Sequence, residues 1–169
     1  MTLATPVGMN EIEIVQNPAI GAFLMWHFAL GYQESGSEAV PLPLAFLLLP
    51  MLLHRRTFDA VASTRKASGL TLFAAKFDKD RETLIELHGR AVQLRPLSLQ
   101  SIGVAATARL IRMDYVGATI HGFEPDLLDA KKPRLPERLK GFAPASNKVG
   151  FWFSKLGLPQ IASTLRIEF

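Results

Sequence analysis

Fourteen consecutive residues, Ala19 to Tyr32, carry no charge, and the apolar ones would ring a whole helical circumference rather than line one stripe. Asn17-Pro18 just before them is a helix start signal, an N-cap followed by proline at the first helical position, where its missing N–H costs nothing. The helix should run to about Gln33 and expose almost no polar face, with Ile20, Phe23, Leu24, Met25, Trp26, Phe28 and Leu30 spread around it. Such a helix either lies at the centre of the fold or is partly covered by another subunit. The second alternative makes Phe23, Trp26, His27 and Leu30, with Trp152 from a later helix, candidate subunit contacts. Leu42 to Leu53 is a second run, apolar apart from Pro43 and Pro50. Both runs fall short of the roughly 20 residues that cross a bilayer, so they read as interior helices. Glu11 and Glu13 stand where a secretory signal would carry basic residues.

With 169 residues, 49% of them hydrophobic, the chain suits one domain with a sizeable core, not a disordered or low-complexity segment. It has no cysteine, which excludes disulfides, thiolate metal sites and cysteine nucleophiles and makes a reducing cytoplasm the expected compartment. The net charge of +4 is unevenly placed. The first 54 residues hold Glu11, Glu13, Glu34 and Glu38 and neither Lys nor Arg; the remainder holds all 19 cations against 11 acids. One-sided basicity points to a polyanionic or acidic partner, or to an ordinary solvated face.

Further along, Leu44 to Leu53 reads as a helix kinked or divided at Pro50, and Thr57 and Ser68 or Gly69 as starts of the next two. Lys79 to Gln93 is amphipathic, and Arg95-Pro96 ends it. Ser98 would cap a helix from Leu99 to Arg109, before strands at Leu110–Met113 and Ala118–His121 around a turn at Tyr115-Val116-Gly117. Helix, tight turn, helix, hairpin is the order of a winged helix-turn-helix. After a basic, proline-containing linker come a helical turn at Pro136–Lys140, a helix at Ser146–Leu156 closed by Gly157, and a helical segment to Leu165. Leu165-Arg166-Ile167-Glu168-Phe169 alternates like a strand. The fold class is mainly α (α+β): one domain with an apolar helical part (1–77), a winged-helix-like part with a short β-hairpin (78–123), a basic linker (124–145), and C-terminal helices with a C-terminal strand (146–169).

Chemistry-bearing motifs are scarce. His27, His54, His88 and His121 stand apart from one another and from acids at ligand spacing, so no metal ligand is nominated. His27 reads as a core or interface histidine bonded to a backbone carbonyl, and His54 as a surface or helix-terminus residue. Neither phosphate-binding glycine motif is present, and no histidine base accompanies Ser63, Thr64 and Ser68. Asp78, Asp80, Glu82 and Glu86 lie among Lys79, Arg81 and Arg90, as on a solvated helix face. No catalytic residue and no cofactor is assigned. Among helix 99–109 residues expected to be exposed, Gln100, Ser101, Val104, Thr107, Ala108 and Arg109, only the last is cationic, which makes a poor groove reader. The bases gather at Arg55, Arg56, Arg65 and Lys66 and at Lys131, Lys132, Arg134, Arg138 and Lys140. These fit phosphate contacts without sequence preference, contacts to an acidic subunit, or solvated charge.

Several stretches together carry a family resemblance. They are Ile14-Val15-Gln16-Asn17-Pro18-Ala19 before the uncharged helix, Pro41-Leu42-Pro43-Leu44 to Leu53-His54-Arg55, Arg95-Pro96-Leu97 before a small-residue helix, and Gly150-Phe151-Trp152-Phe153 before a closing helix ending in Leu165-Arg166-Ile167. In these the chain resembles the middle component of three-component ABC systems, prokaryotic defence operons related to those called Lamassu. The resemblance implies a non-catalytic adaptor between an SMC/Rad50-like ABC ATPase that senses DNA and an effector, often a nuclease, with ATP and Mg held by the ATPase only. The alternative from a different class is a stand-alone winged-helix DNA-binding regulator.

Overall fold

The computed structural model describes residues 16–36, 38–127 and 134–169. The uncharged run is helix α1, Pro18–Gln33, capped as its sequence predicts: the Asn17 side chain accepts from the Ala19 N–H at 2.8 Å. Phe23, Leu24, Met25, Trp26, Phe28 and Ala29 are all buried, so α1 is the central helix of the chain's own core. The other elements are β1 (Val40–Pro41), α2 (Leu42–Leu52), α3 (Arg55–Ser63), α4 (Gly69–Ala75), α5 (Arg81–Gln93), α6 (Arg95–Thr107), β2 (Ile111–Asp114), β3 (Thr119–Gly122), α7 (Phe142–Ser154) and α8 (Leu158–Leu165). Short 3-10 turns occur at Lys66–Ser68, Pro125–Leu127 and Glu137–Leu139. The described residues are thus mainly helical with one small antiparallel sheet.

Helix α1 is flanked by α7 and α6 and meets β3 near its C-terminal end. Its approach to α7 is set by glycine. A Cβ on Gly31 would stand 2.0 Å from the Asn147 carbonyl oxygen, and one on Gly150 would stand 2.1 Å from the Phe28 carbonyl oxygen. Gly21 plays the same part toward α6, where a Cβ would fall 2.0 Å from Ser101 Oγ. Tryptophans tie the surrounding loops down: Trp26 Nε1 donates to the Phe123 carbonyl at 2.8 Å and Trp152 Nε1 to the Lys66 carbonyl at 2.9 Å.

Pro50 lies inside α2 and does not divide it, because the helix has only two residues left to run and the Leu53 N–H closes the end on the Leu49 carbonyl. Thr57 is not a cap. Its buried hydroxyl donates back to the Met51 and His54 carbonyls, fastening α3, which starts at Arg55, to the end of α2. Similarly, α6 starts at Arg95 rather than after Ser98: Pro96 fits a first helical turn, and Leu94 alone (φ −92°, ψ 3°) separates it from α5. Ser98 is therefore buried within the helix.

The hairpin is where the alternation predicts it, shifted by one residue, with Met113 opposite Ile120. Asp114 Oδ1 accepts from the Val116 and Gly117 N–H groups and so fixes its turn. A third strand not foreseen from the sequence, β1, pairs Val40 with Ile120 and gives the order β1-β3-β2. The C-terminal strand is absent. Arg166 instead takes the left-handed conformation (φ 55°) that ends α8, and the Ile167 N–H returns to the Ala162 carbonyl. Leu165 and Ile167 are both buried, but as a helix end and its cap anchor, with no strand beside them. The acidic alternation at 11–14 and the linker residues 128–133 lie outside the described residues.

Helix, one-residue joint, helix and hairpin do follow in the winged-helix order. However, α6, which would be the reading helix, lies along α1, and Ser101, expected on its exposed face, is fully buried against Gly21.

Candidate interaction surface

The structure redistributes the basic residues. Arg55 pairs along its own helix with Asp59 at 3.9 Å, and Arg56 pairs with Asp80, which also accepts from Thr83 Oγ1 at 2.9 Å. Both arginines thus have an acidic neighbour, Arg55 on its own helix and Arg56 just before α5. Arg65 is exposed at the end of α3, whereas Lys66 turns toward α7: it pairs with Glu34, donates to Asn147 Oδ1 at 3.0 Å and lies over the Phe151 ring. Lys140 pairs with Glu137 one turn away, and Arg134 and Arg138 are exposed. Lys131 and Lys132 lie outside the described residues.

Three lysines that sequence patterns do not single out join Lys66. Lys148 donates to the Val61 and Ala62 carbonyls at 2.9 and 3.2 Å, closing the C-terminal end of α3. Lys76 donates to Ser63 Oγ at 2.9 Å, and Lys155 lies over the same Phe151 ring as Lys66, 4.9 Å from its centroid. Burial lowers the Lys148 pKa from its ordinary value, and the neighbouring Lys76 ammonium lowers it further. Two like charges are thus held close together on one face. The signal present in the sequence is the spacing Lys148, Phe151, Lys155, at i, i+3 and i+7 on one side of α7, which is hidden when only the apolar stripe of that helix is read. Arg65, Lys66, Lys76, Lys148 and Lys155 form a basic face around the α3 end and α7, with Glu34 as the acid paired to it. Its chemistry is charge pairing by lysine ammoniums, which are point charges suited to phosphate or carboxylate partners without a demand for one geometry.

The apolar residues expected from the sequence as subunit contacts lie largely inside the chain. Phe23, Trp26 and Trp152 are 8%, 2% and 1% exposed, filling this chain's own core and anchoring Phe123 and Lys66. Within the chain, α6, α7 and β3 pack against α1. His27 and Leu30 are half-buried. The His27 ring rests against Phe23 and Trp26, 4.5 and 5.0 Å between centroids, in place of the expected bond to a carbonyl. Burial lowers its pKa.

His54 stands at a helix terminus as expected, at the N-cap of α3, with its Nδ1 buried and without a hydrogen-bond partner. Burial lowers its pKa, as do Arg90 and Arg56, against the opposing pull of Glu86 and Asp80. His88 Nδ1 accepts weakly, at 3.4 Å, from the Glu168 N–H, and His121 meets Phe123 edge to face. Among the described residues no three acids or histidines are grouped to hold a metal, and no helix is long and apolar enough to cross a membrane.

Comparison with known proteins is informative at the family level alone. No curated protein and no solved structure matches the chain. One family model matches, over residues 8–169, nearly the whole length of the chain. The chain belongs to the family of Middle Component 3 of the ABC-three component (ABC-3C) system.

Proposed function

We propose that this chain is a non-catalytic adaptor in the cytoplasm, linking an SMC/Rad50-like ABC ATPase that senses DNA to an effector such as a nuclease in anti-phage or anti-plasmid defence. The observation that carries this reading is the match to a middle component of a three-component ABC system along nearly the whole chain. ATP and Mg belong to the ATPase in this reading. The basic face around α7 supports it as a place where the chain meets either a neighbouring acidic subunit or DNA held by the complex. Its lysines can track a phosphate backbone but offer no paired donors for base edges. A stand-alone regulator loses ground on the same observations, because Ser101 is buried against α1 and the only cation of α6 is Arg95 at its first residue, set over Phe46.

The test is co-expression with the other two components of the same system, followed by purification on a tag carried by this chain. Both partners should co-purify, and ATP hydrolysis should follow the ATPase while this chain alone shows none. Any DNA affinity of the chain should be alike for unrelated duplexes and fall steeply with salt. Glutamate at Lys66, Lys148 and Lys155 should weaken binding to all duplexes alike, whereas alanine at Gln100 and Thr107 should leave it unchanged. Failure of both partners to co-purify, or a preference for one duplex that depends on Gln100 and Thr107, would overturn the adaptor reading.

A further inference from the structure

The α5–α6 ridge exposes apolar side chains in a pattern that the chain's own packing does not use. Ile85, Val92 and Leu99 are 56%, 53% and 49% exposed, and each is seven residues from the next. Ile85 and Val92 lie on the exposed side of α5, whose buried residues are Thr83, Leu84 and Leu87, and Leu99 lies on α6. Seven-residue spacing keeps Ile85 and Val92 on one face of α5, about 10 Å apart at about 1.5 Å per residue, and Leu99 follows on α6 beyond the Leu94 joint. Beside the ridge runs an apolar groove of about 310 Å³, between Leu42 and Phe46 of α2, His88, Val92 and Arg95 of the ridge, and the exposed Phe169. Its rim carries an available cation. The Arg95 guanidinium lies over the Phe46 ring, 5.6 Å from the centroid, with no hydrogen bond or ion pair among the described residues. Glu168 lines the opposite side, its N–H turned to His88. An exposed apolar stripe with a polar rim is the usual form of a helix-binding groove.

We propose that the α5–α6 ridge and this groove seat an amphipathic helix from another component of the three-component system, one presenting aliphatic side chains at seven-residue spacing and a carboxylate to Arg95. The carboxylate follows from charge complementarity: Arg95 offers a planar set of donors already held in place by Phe46. The helical form follows from the two-turn spacing of Ile85 and Val92 on α5, which matches the repeat of a helix laid beside it. This inference rests on the adaptor reading and names the surface that the adaptor uses. Its residues differ from those of the basic face, which come from the end of α3, the end of α4 and α7.

The experiment is the same three-component co-expression with variants of this chain. Val92→Glu with Leu99→Glu should weaken the complex about 100-fold, Arg95→Glu about tenfold, and Val116→Glu, at an equally apolar but 99% exposed turn position, not at all. Denaturation midpoints of the purified variants should stay close to that of the parent, because Val92 and Leu99 are about half exposed before the change. As a second readout, Val92→Cys gives a single thiol in a chain that has none, and its alkylation should slow about tenfold in the complex while a Val116→Cys thiol stays fully reactive. If the complex forms and the Val92/Leu99 variant binds as well as the parent, this inference fails and the adaptor reading stands. If the isolated chain self-associates and that variant abolishes it, the occupant is a second copy and the inference is overturned. If no complex forms with either component, both fall together.

Discussion

Glycine occupies the interior of helices in two regions of this molecule with opposite physical meaning. Between α1 and α7, Gly31 and Gly150 let two backbones touch, with carbonyl oxygens of the partner helix standing where a side chain would begin. In α5 and α6, Gly89 and Gly103 face open space, with nothing among the described residues within 4 Å of a Cβ built on them. The first pair specifies the core; the second gives up helix stability with no internal contact to offset it. Apolar residues follow the same division: α1 buries Ala22 through Trp26, Phe28 and Ala29, whereas α5 and α6 leave Ile85, Val92, Leu99 and Val104 38–56% exposed. The inner helices are therefore built for the fold, and the outer ridge is built for something beyond it.

The largest expected effect breaks the inner contact. Gly150→Ala and Gly31→Ala each place a methyl within about 2 Å of a backbone oxygen that cannot rotate away. Each should cost about 3 kcal/mol or more, at or beyond the upper end of ordinary overpacking, because α1 and α7 must move apart along their length. Chemical denaturation checks it. A loss below about 1 kcal/mol in both would mean that the helices separate easily and that the contrast with the outer ridge is wrong.

Next in size is the link between the core and the basic face. Trp152→Phe should cost about 1–3 kcal/mol, by leaving the Lys66 carbonyl without its donor and a gap where the indole was. Lys148→Met keeps the aliphatic stem but removes the ammonium that closes the Val61 and Ala62 carbonyls, and it should cost about 1 kcal/mol. Lys155→Ala, with its side chain at the surface over Phe151, should move the midpoint little. If Lys155→Ala proved as costly as Lys148→Met, the basic face would be a structural network rather than a surface available to a partner.

Acidification probes the inner region in a different way. His27 and His54 both have pKa values lowered from 6.5 in the fold, chiefly by burial, so the unfolded chain binds more protons than the folded chain between the two values. Stability is then full above about pH 6.5 and is lost as pH falls through the folded-state values. Thermal midpoints should decrease from about pH 7.5 to about pH 5.5, and a chain with His27→Gln and His54→Gln should show a flatter profile over that interval. A midpoint that rose on acidification would contradict burial as the dominant influence on both rings.

Much of this division is legible in the amino-acid sequence. The Asn17-Pro18 cap, the lack of charge through Tyr32 and the spread of apolar residues around the helix place α1 either at the centre of the fold or under a partner. The core alternative is the one realised for Phe23 and Trp26, since neighbouring helices of the same chain cover them. What periodicity cannot convey is how near those helices come, because Gly31 and Gly150 carry no hydropathy signal. The end of the chain misleads for a related reason: Leu165 and Ile167 alternate as in a strand, but an αL residue between them produces the same two buried positions. On the surface, the Arg55 and Arg56 pair is conspicuous in sequence yet is neutralised by Asp59 and Asp80. The lysines that do cluster are brought together only when α4 and the end of α3 fold beside α7. The ridge at Ile85, Val92 and Leu99 is obscured because Arg95-Pro96 reads as an ending rather than as the first turn of a helix that continues almost at once.

The smallest effect separates the two regions most cleanly, because it has the opposite sign. Gly89 lies in the interior of α5 and Gly103 in that of α6, both on exposed turns with open space around them. Alanine there reduces the freedom of the unfolded chain and introduces no clash, so each substitution should stabilise the isolated protein by about 0.5–1 kcal/mol. The same substitution at Gly31 or Gly150 should do the reverse, several-fold more strongly. Gly89 is four residues after Ile85 and three before Val92, so its added methyl also stands on the ridge proposed to receive a partner helix. Gly89→Ala should therefore raise the denaturation midpoint of the chain alone while weakening its complex about two- to fivefold, whereas a methyl on a surface that meets nothing would leave the complex unaltered. Loss of stability at Gly89 would show that its open space is filled in solution and would remove the contrast between the inner and outer helices; a gain in stability with unchanged assembly would keep that contrast and move the partner's seat elsewhere.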